Sequence, residues 1–437
     1  MAETVFPTLQ AGELLVHARM RANEASAETR AAPPPARILS SGLQLSVNHD
    51  LDSLEQEWRA FEQHADCTVF QCFDWLASWQ RHVGSRTGTT PAIVIGRRGS
   101  EPVFILPMAT RSVAGLRQLT FLGRDLCDYN APLLHSDFSA LVGASFPGLW
   151  VQIRDLLQGY ERHRHDLILL DKMPERIGAQ PNPLLQLGLS LHPSGAYLMR
   201  MTGDWESFYA AKRSSATRRR DRTKRKRLSE AGEIRLVTAQ TPAEITRTLT
   251  ALMTQKTRAL ARMGVPDIFA RPGHREFYAA LVANASKHGL AHLSRLQIGP
   301  TFAATNLGLE FRGVYYHVLA SYEDGPLARF GPGAAHLHEL MRYALERGCR
   351  VFDFTVGDEA YKRDWCDTEV KLYDFVASAT PRGWVMATLL TAARGAKRAI
   401  KQSALWPALI RLRARLGSLR RRSLPAHPAA DDAEPRT

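Results

Sequence analysis

The chain has 437 residues, 45% hydrophobic and 23% charged, with a formal net charge of +14 at pH 7. That composition fits a water-soluble globular protein of roughly two or three domains and excludes a membrane span, since no run approaches about 18 apolar residues. Five scattered cysteines (Cys67, Cys72, Cys127, Cys349, Cys366) form no Cys-x-x-Cys pair, which argues against a disulfide frame or zinc site and for buried thiols in a reducing cytoplasm.

Residues 1–40 contain Pro33-Pro34-Pro35 and many Ala, Glu and Arg, and read as a mostly disordered tail with a short helix near Ala11–Ala27. Glu3 and the lack of an apolar core give no sign of a secretory signal. Leu51, Leu54, Trp58 and Phe61 recur at helical spacing, and Val69–Trp79 opens a second helix. Strand-like runs follow at Pro91–Gly96, Val103–Thr110 and Leu116–Leu122. Asp128, Tyr129 and Asn130 come after a strand end, a place suited either to a site loop or to plain structure. Phe138–Tyr160 reads as a helix and Asp166–Asp171 as a buried strand. Leu198–Thr202 is a further strand, and Asp204–Ala211 starts a helix.

Charge is concentrated next. Lys212–Arg227 holds ten basic residues against one acid, Asp221. The run reads either as a phosphate-gripping face or as a solvated helix whose long stems cover the fold. Thr241–Arg262, with Lys256 near its end, and His274–Lys287 are expected helices. Ala291–Ile298, Phe302–Phe311 and Val314–Ala320 form an expected meander, turned at Gly299-Pro300 and Arg312-Gly313.

Arg329-Phe330-Gly331-Pro332-Gly333-Ala334-Ala335 then forms a small-residue bend into a helix carrying Leu337, Leu340, Met341, Ala344 and Leu345 on one face, with Gly348 closing it. Unpaired amides and the positive dipole end make such a bend an anion site; an ordinary strand-to-helix turn reads the same way. In the following strand, alternation places Val351, Asp353 and Thr355 on one face and Phe352, Phe354 and Val356 on the other. Glu369–Ala379 is expected to close the same sheet. From Phe375 to Ala430 there are eleven Lys or Arg and no acid. Leu405, Leu409, Leu412, Leu416 and Leu419 stripe that tail, a pattern for a docked helix or for one lying on an anionic membrane.

The order of these words is similar to that of GNAT acyltransferases, and in wording resembles the CelD-like members related to the Fem aminoacyltransferases. The matching words are Phe330-Gly331-Pro332-Gly333, Phe352-Asp353-Phe354, Gly357-Asp358-Glu359 and Tyr361-Lys362-Arg363-Asp364-Trp365, with Phe70-Gln71, Trp75, Trp79, Leu122-Gly123 and Asp128-Tyr129-Asn130 upstream. The family's usual Ser before Pro-Gly is Gly331 here. Strands, helix and strand occur twice, so the expected fold is α/β (α+β): two tandem GNAT-like units, mixed sheets flanked by helices, and a basic C-terminal helical tail. The expected domains are a degenerate GNAT-like unit at 41–195, a GNAT acyltransferase domain with the cofactor loop at 196–380, and the basic amphipathic tail at 381–437.

The resemblance implies acyl transfer from acetyl-CoA or another acyl-CoA to an amine or hydroxyl of a sugar, polysaccharide or cell-envelope precursor. The alternatives are a Fem-like use of aminoacyl-tRNA, whose users carry an inserted helical arm not visible here, or a non-catalytic protein binding nucleic acid or membrane. Arg329, Gly331, Gly333, Ala334 and Ala335 would hold the cofactor phosphates. Asp353, beside the cofactor helix, is the expected base or acceptor-positioning group. The resemblance implies an oxyanion or phosphate role for Lys362 and a proton-donor role for Tyr361. Asp128, Tyr129, Asn130, Asp358, Trp365 and Lys256 would line the acceptor side. His336 and His338, two apart, face different sides of a helix, and no metal set is expected. The expected location is the cytoplasm, peripheral to the inner membrane.

Overall fold

The computed structural model describes residues 37–39, 42–143 and 145–402. The expectations for Ala11–Ala27 and for the leucine stripe beyond 402 lie outside the described residues.

Runs rich in β-branched and aliphatic residues form β1 (Gln44–Asn48), β2 (Thr90–Arg98), β3 (Glu101–Val113), β4 (Leu116–Phe121) and β5 (Leu167–Pro174) in the first half of the chain. The first half ends in β6 (Ala196–Arg200), and the second half supplies β7 (Ile234–Thr238), β8 (Ala291–Ile298), β9 (Thr301–Phe311), β10 (Val314–Tyr322), β11 (Val351–Val356), β12 (Thr368–Val370) and β13 (Leu372–Ser378). One sheet of nine strands runs β1-β2-β3-β4-β5-β13 between two short edge strands, Arg37–Ile38 and Ser190–Leu191, with the ninth, Leu133–Leu134, paired to β3 off that path. The other, of seven strands, runs β7-β8-β9-β10-β11-β6-β12.

The two halves are built alike. An antiparallel meander leads to a helix, and the helix returns to a strand parallel to the meander's last. That helix is Phe146–Gly159 in the first half and Pro332–Glu346 in the second. The first-half helix is shorter than expected because Gly143, in the left-handed region, ends a separate short helix, Phe138–Val142. Each helix packs its apolar face on its own sheet, Leu149, Trp150 and Ile153 in one case, Leu337, Leu340 and Met341 in the other. A third core joins the halves: Trp58, Phe70 and Trp75 meet Leu252, Phe277, Leu307 and Tyr316.

The sheets are completed reciprocally. β6 leaves the first half and pairs with β11, while β13 follows β12 out of the second half and pairs with β5. Glu369–Ala379 therefore does not close one sheet as expected. Its first part edges the second sheet beside β6, and its remainder joins the first.

The parallel pairs carry the site. β10 and β11 pair only at Val314–Val351, Tyr315–Phe352 and Tyr316–Asp353, and then part. Opposite β6, Tyr197 alone faces both Phe354 and Thr355, which is a β-bulge. Thr355 sits there at φ +57°, a conformation costing on the order of 1–3 kcal/mol in a β-branched residue. The bulge breaks the expected alternation. Phe352 and Phe354 enter the core under the Pro332–Glu346 helix, whereas Val356 turns to the core shared by the halves. The first half repeats the device: Asp374 of β13 alone faces Asp171 and Lys172 of β5, and Lys172 has φ +54°.

Candidate active site

Three segments converge where β10 and β11 part. The loop after β4 brings Asp128 and Tyr129, β11 brings Asp353 and Thr355, and a short helix, Ala360–Arg363, brings Lys362. The Tyr129 hydroxyl donates to both carboxylate oxygens of Asp353, at 2.8 and 3.0 Å. The Thr355 amide, turned inward by the bulge, donates to Asp353 Oδ1 at 2.7 Å. Asp353 is 6% exposed, and burial pushes its carboxyl up to about 7, against the pull of the two donors. Asp128 is also pushed up by burial, with Lys172 and a hydrogen bond to the Thr355 side chain opposing. Its carboxyl stands close enough to Asp353 to disfavour charge there.

Cations surround the pair. Lys362 Nζ donates to the carbonyls of Thr355 at 3.3 Å and Val356 at 3.0 Å, and pairs with Glu359 at 3.0 Å. A Cβ on Gly357 would stand 2.3 Å from the Glu359 carboxylate and 2.9 Å from Lys362 Nζ, so the pair needs glycine there. Lys256 Nζ donates to the Ala320 carbonyl of β10 at 3.3 Å. Its pKa is lowered by burial and by Lys362, with Glu359 opposing. His317 of β10 is held down to about 3 by burial and by these two lysines, so its imidazole is neutral. Lys172 donates to the Cys127 carbonyl beside Asp128. A carboxyl that titrates near neutrality can take a proton, and the nearby cations can stabilise developing negative charge.

The expected residues divide. Asp128, Tyr129, Asp353, Lys362 and Lys256 come together. Asn130 does not join them: its Nδ2 donates to the Asp171 carbonyl at 3.0 Å and its amide to that of Lys172, so it clamps the loop to β5. Tyr361 stands at the rim, 40% exposed, its ring edge-on to Phe354. The charge of Asp358 acts on Tyr197 of β6. Thr355, Lys172, His317 and Glu359 were not assigned roles from the sequence. Only Lys172 left a clue, a cation inside an apolar strand run.

The bend opens on a second feature. A groove of about 560 Å³ lies between the outer face of the Pro332–Glu346 helix, the Trp205–Lys212 helix and a basic helix, Ser215–Ser229, and Gly331, Ala334 and Ala335 line it. Arg213 and Ser214 separate the Trp205–Lys212 helix from the basic one, the Ser214 hydroxyl accepting from the Thr217 amide at 3.2 Å as an N-cap. Trp205 stacks on Tyr209 at 5.5 Å, Tyr209 on Trp365 at 6.1 Å, and the Arg213 guanidinium lies 4.6 Å over the Trp365 ring. Arg218, Arg222 and Lys224 add positive charge. Gly331 caps the helix at φ +69° and Pro332 is its first residue, so the amides of Gly333 and Ala334 have no carbonyl of their own helix to bond. A Cβ on Gly331 would lie 4.0 Å from Lys224 Nζ. A small-residue cradle, free amides and an ammonium fit a phosphate.

Three expectations shift here. Trp365 lines this basic groove rather than the acceptor side. Arg329 opens on a different hollow, with Arg227 and Glu230, its guanidinium 4.8 Å over Phe330. Gly333 faces Tyr322, whose ring would lie 3.2 Å from a Cβ placed there. His336 is buried, 3.3 Å from Ser294 Oγ. Among the described residues, no group of three His, Cys, Asp or Glu could hold a metal ion, and no helix is long and apolar enough to cross a membrane.

Comparison with known proteins gives a family model that matches part of the chain, and a fold. Residues 215–363 match the family model described as an acetyltransferase (GNAT) domain. That segment contains the basic helix, the bend, Asp353 and Lys362. The crystal structure of FemX is similar over 79% of this chain and 99% of its own, with a TM-score of 0.53 at 12% identity. A conserved protein of unknown function from Bacteroides thetaiotaomicron VPI-5482 is similar over 76% and 98%, with a TM-score of 0.47 at 11% identity. A tandem GNAT protein from the clavulanic acid biosynthesis pathway is similar over 78% and 99%, with a TM-score of 0.41 at 13% identity. At 12% identity the likeness to FemX is one of fold. No curated protein matches the chain.

Proposed function

We propose that this chain, which carries a GNAT acetyltransferase domain, moves an acyl group from acyl-CoA to an amine or hydroxyl of a sugar or cell-envelope precursor, as its resemblance to CelD-like proteins implies. A GNAT domain implies acyl-CoA as co-substrate. The carrier's phosphates would rest on the amides after Gly331, with Lys224, Arg218 and Arg222 beside them. The acyl carbon would reach the gap where β10 and β11 part. The observation that carries the reading is Asp353 itself: a carboxyl poised at about 7 and held by a tyrosine from the other half of the chain.

In that arrangement Asp353 takes the acceptor's N–H or O–H proton as the acceptor's lone pair bonds to the acyl carbon. Lys362 or Lys256 stabilises the oxygen charge of the tetrahedral intermediate. The intermediate collapses with loss of the C–S bond, the departing thiolate takes up a proton, and Asp353 gives up the one it accepted, which restores the base. Tyr129 holds the carboxylate in place, and the neighbouring Asp128 disfavours its ionised form.

A second reading has one observation in its favour. The basic helix is exposed along Arg219, Arg220, Arg222 and Lys224, a surface that suits the phosphates of a charged tRNA. Against it, the two long helices of the second half, Pro242–Arg262 and His274–His288, both pack on the shared core through Leu249, Leu252, Phe277 and Leu281. A thermal-shift screen of acyl-CoAs against charged tRNA separates the readings. Stabilisation by acyl-CoA with salt-weakened affinity is expected; a shift with charged tRNA alone would transfer the assignment to the second reading.

A further inference from the structure

The terminal helix, Pro381–Gln402, is fixed to the body on one side only. Thr380 Oγ1 donates to Asp166 at 2.8 Å, and Gly383 lies so close to the Asp166 carbonyl that a Cβ would meet it at 1.8 Å. Further along, Arg394 reaches the fully buried carboxylate of Asp374 on β13, at 3.2 Å. Among the described residues, the opposite side is uncovered. Trp384 is 62% exposed, Val385 53% and Leu389 59%, and Ala392, Ala396 and Ala399 continue exposed positions at the same helical spacing. A docked helix with an apolar outer face calls for an occupant.

Charge selects among occupants. Between Phe375 and Ala430 the chain has eleven Lys or Arg and no Asp or Glu. A second copy would bring like charge against like. The chain's own residues after Gln402 carry six arginines between Arg411 and Arg422 and meet the same repulsion. An anionic lipid surface is complementary to both the apolar stripe and its cations. We infer that the Pro381–Gln402 helix lies in the plane of an anionic bilayer, with Trp384, Val385 and Leu389 inserted and the first sheet mounted on it through Arg394 and Asp374. The inference does not depend on the acyl donor.

The test uses the full-length protein with vesicles of phosphatidylglycerol and phosphatidylcholine, or of phosphatidylcholine alone, in a flotation assay. Partitioning is expected onto the anionic vesicles only and is expected to weaken with salt. Lipids brominated near the headgroup should quench tryptophan emission in the wild type and less in Trp384→Phe. The double variant Trp384→Ser/Leu389→Ser should partition about tenfold or more weakly, with its thermal transition and acetyl-CoA binding unchanged. Absence of vesicle binding would overturn the inference, as would undiminished binding by the double variant. A wild-type dimer in sedimentation, lost in the double variant, would hand the face to a second copy. An equal loss of acetyl-CoA binding would report a failure of the fold rather than of the surface.

Discussion

Asp353 illustrates how one side chain acquires a function from its surroundings. In water its carboxyl would be ionised throughout the physiological range; burial pushes it up to about 7. Used as a base, it is active when deprotonated, so the rate should rise with pH through about 7. Replacing Asp353 with Asn should lower kcat by about 10²–10⁴-fold, measured by thiol release from acetyl-CoA once an acceptor is found, and abolish that limb. The Tyr129 hydroxyl lowers this pKa, so Tyr129→Phe should move the limb to higher pH; an unmoved limb would disconnect the two residues. Stability follows the same titration. The folded pKa lies above the unfolded value, so the native state holds the proton more tightly, and the contribution of Asp353 is lost as pH rises from about 4 through about 7. Asn at 353 should therefore gain stability relative to wild type between pH 5 and pH 8, read from paired thermal melts.

At the scale of elements, the basic helix and the bulge do different work. The helix Ser215–Ser229 buries only Leu228 among its residues, so its many arginines contribute little to folding and remain available to a ligand. Arg218→Glu with Arg222→Glu should weaken acyl-CoA binding by about tenfold or more, as expected on losing charged hydrogen bonds, while leaving the melting temperature nearly unchanged. Calorimetric titration at two salt concentrations would check this. Loss of binding together with collapse of the fold would point to a structural helix instead. The bulge acts through geometry. At φ +57° the Thr355 amide turns toward Asp353, and its carbonyl remains in reach of Lys362. Its strain is offset by those partners, which is how a strained backbone persists at a site.

Across the whole molecule, the exchanged strands decide how the halves behave. β6 and β13 each complete the other half's sheet, and the core around Trp75, Phe277 and Tyr316 is common to both. Residues 37–402 should therefore unfold in a single calorimetric transition, not two. Arg394→Met would leave Asp374, which is wholly buried, with only the His192 ring and the Lys172 amide beside it among the described residues, and should cost a few kcal/mol. Arg394→Met with Asp374→Asn should recover part of that loss, since no lone buried charge remains. Two separated transitions in the wild type would contradict the reciprocal pairing.

Much of this was legible from local pattern. The 3.6-residue and 2-residue periods marked the Pro332–Glu346 helix, the Pro242–Arg262 helix and the meanders. The Gly-Pro-Gly bend, the Asp353 strand and Lys362 were equally visible as words in order. The partners of Asp353 were not, because Tyr129 lies 224 residues away. Nor was the bulge, since alternation presumes an unbroken strand and breaks only against a particular neighbour. The destination of β13 and the groove that received Trp365 were likewise decided in the folded chain. Period and turn chemistry are properties of adjacent residues, so the sequence determined the elements; pairing, register and the pKa of a buried carboxyl arise from groups distant along the chain, and only the tertiary structure brings them into contact.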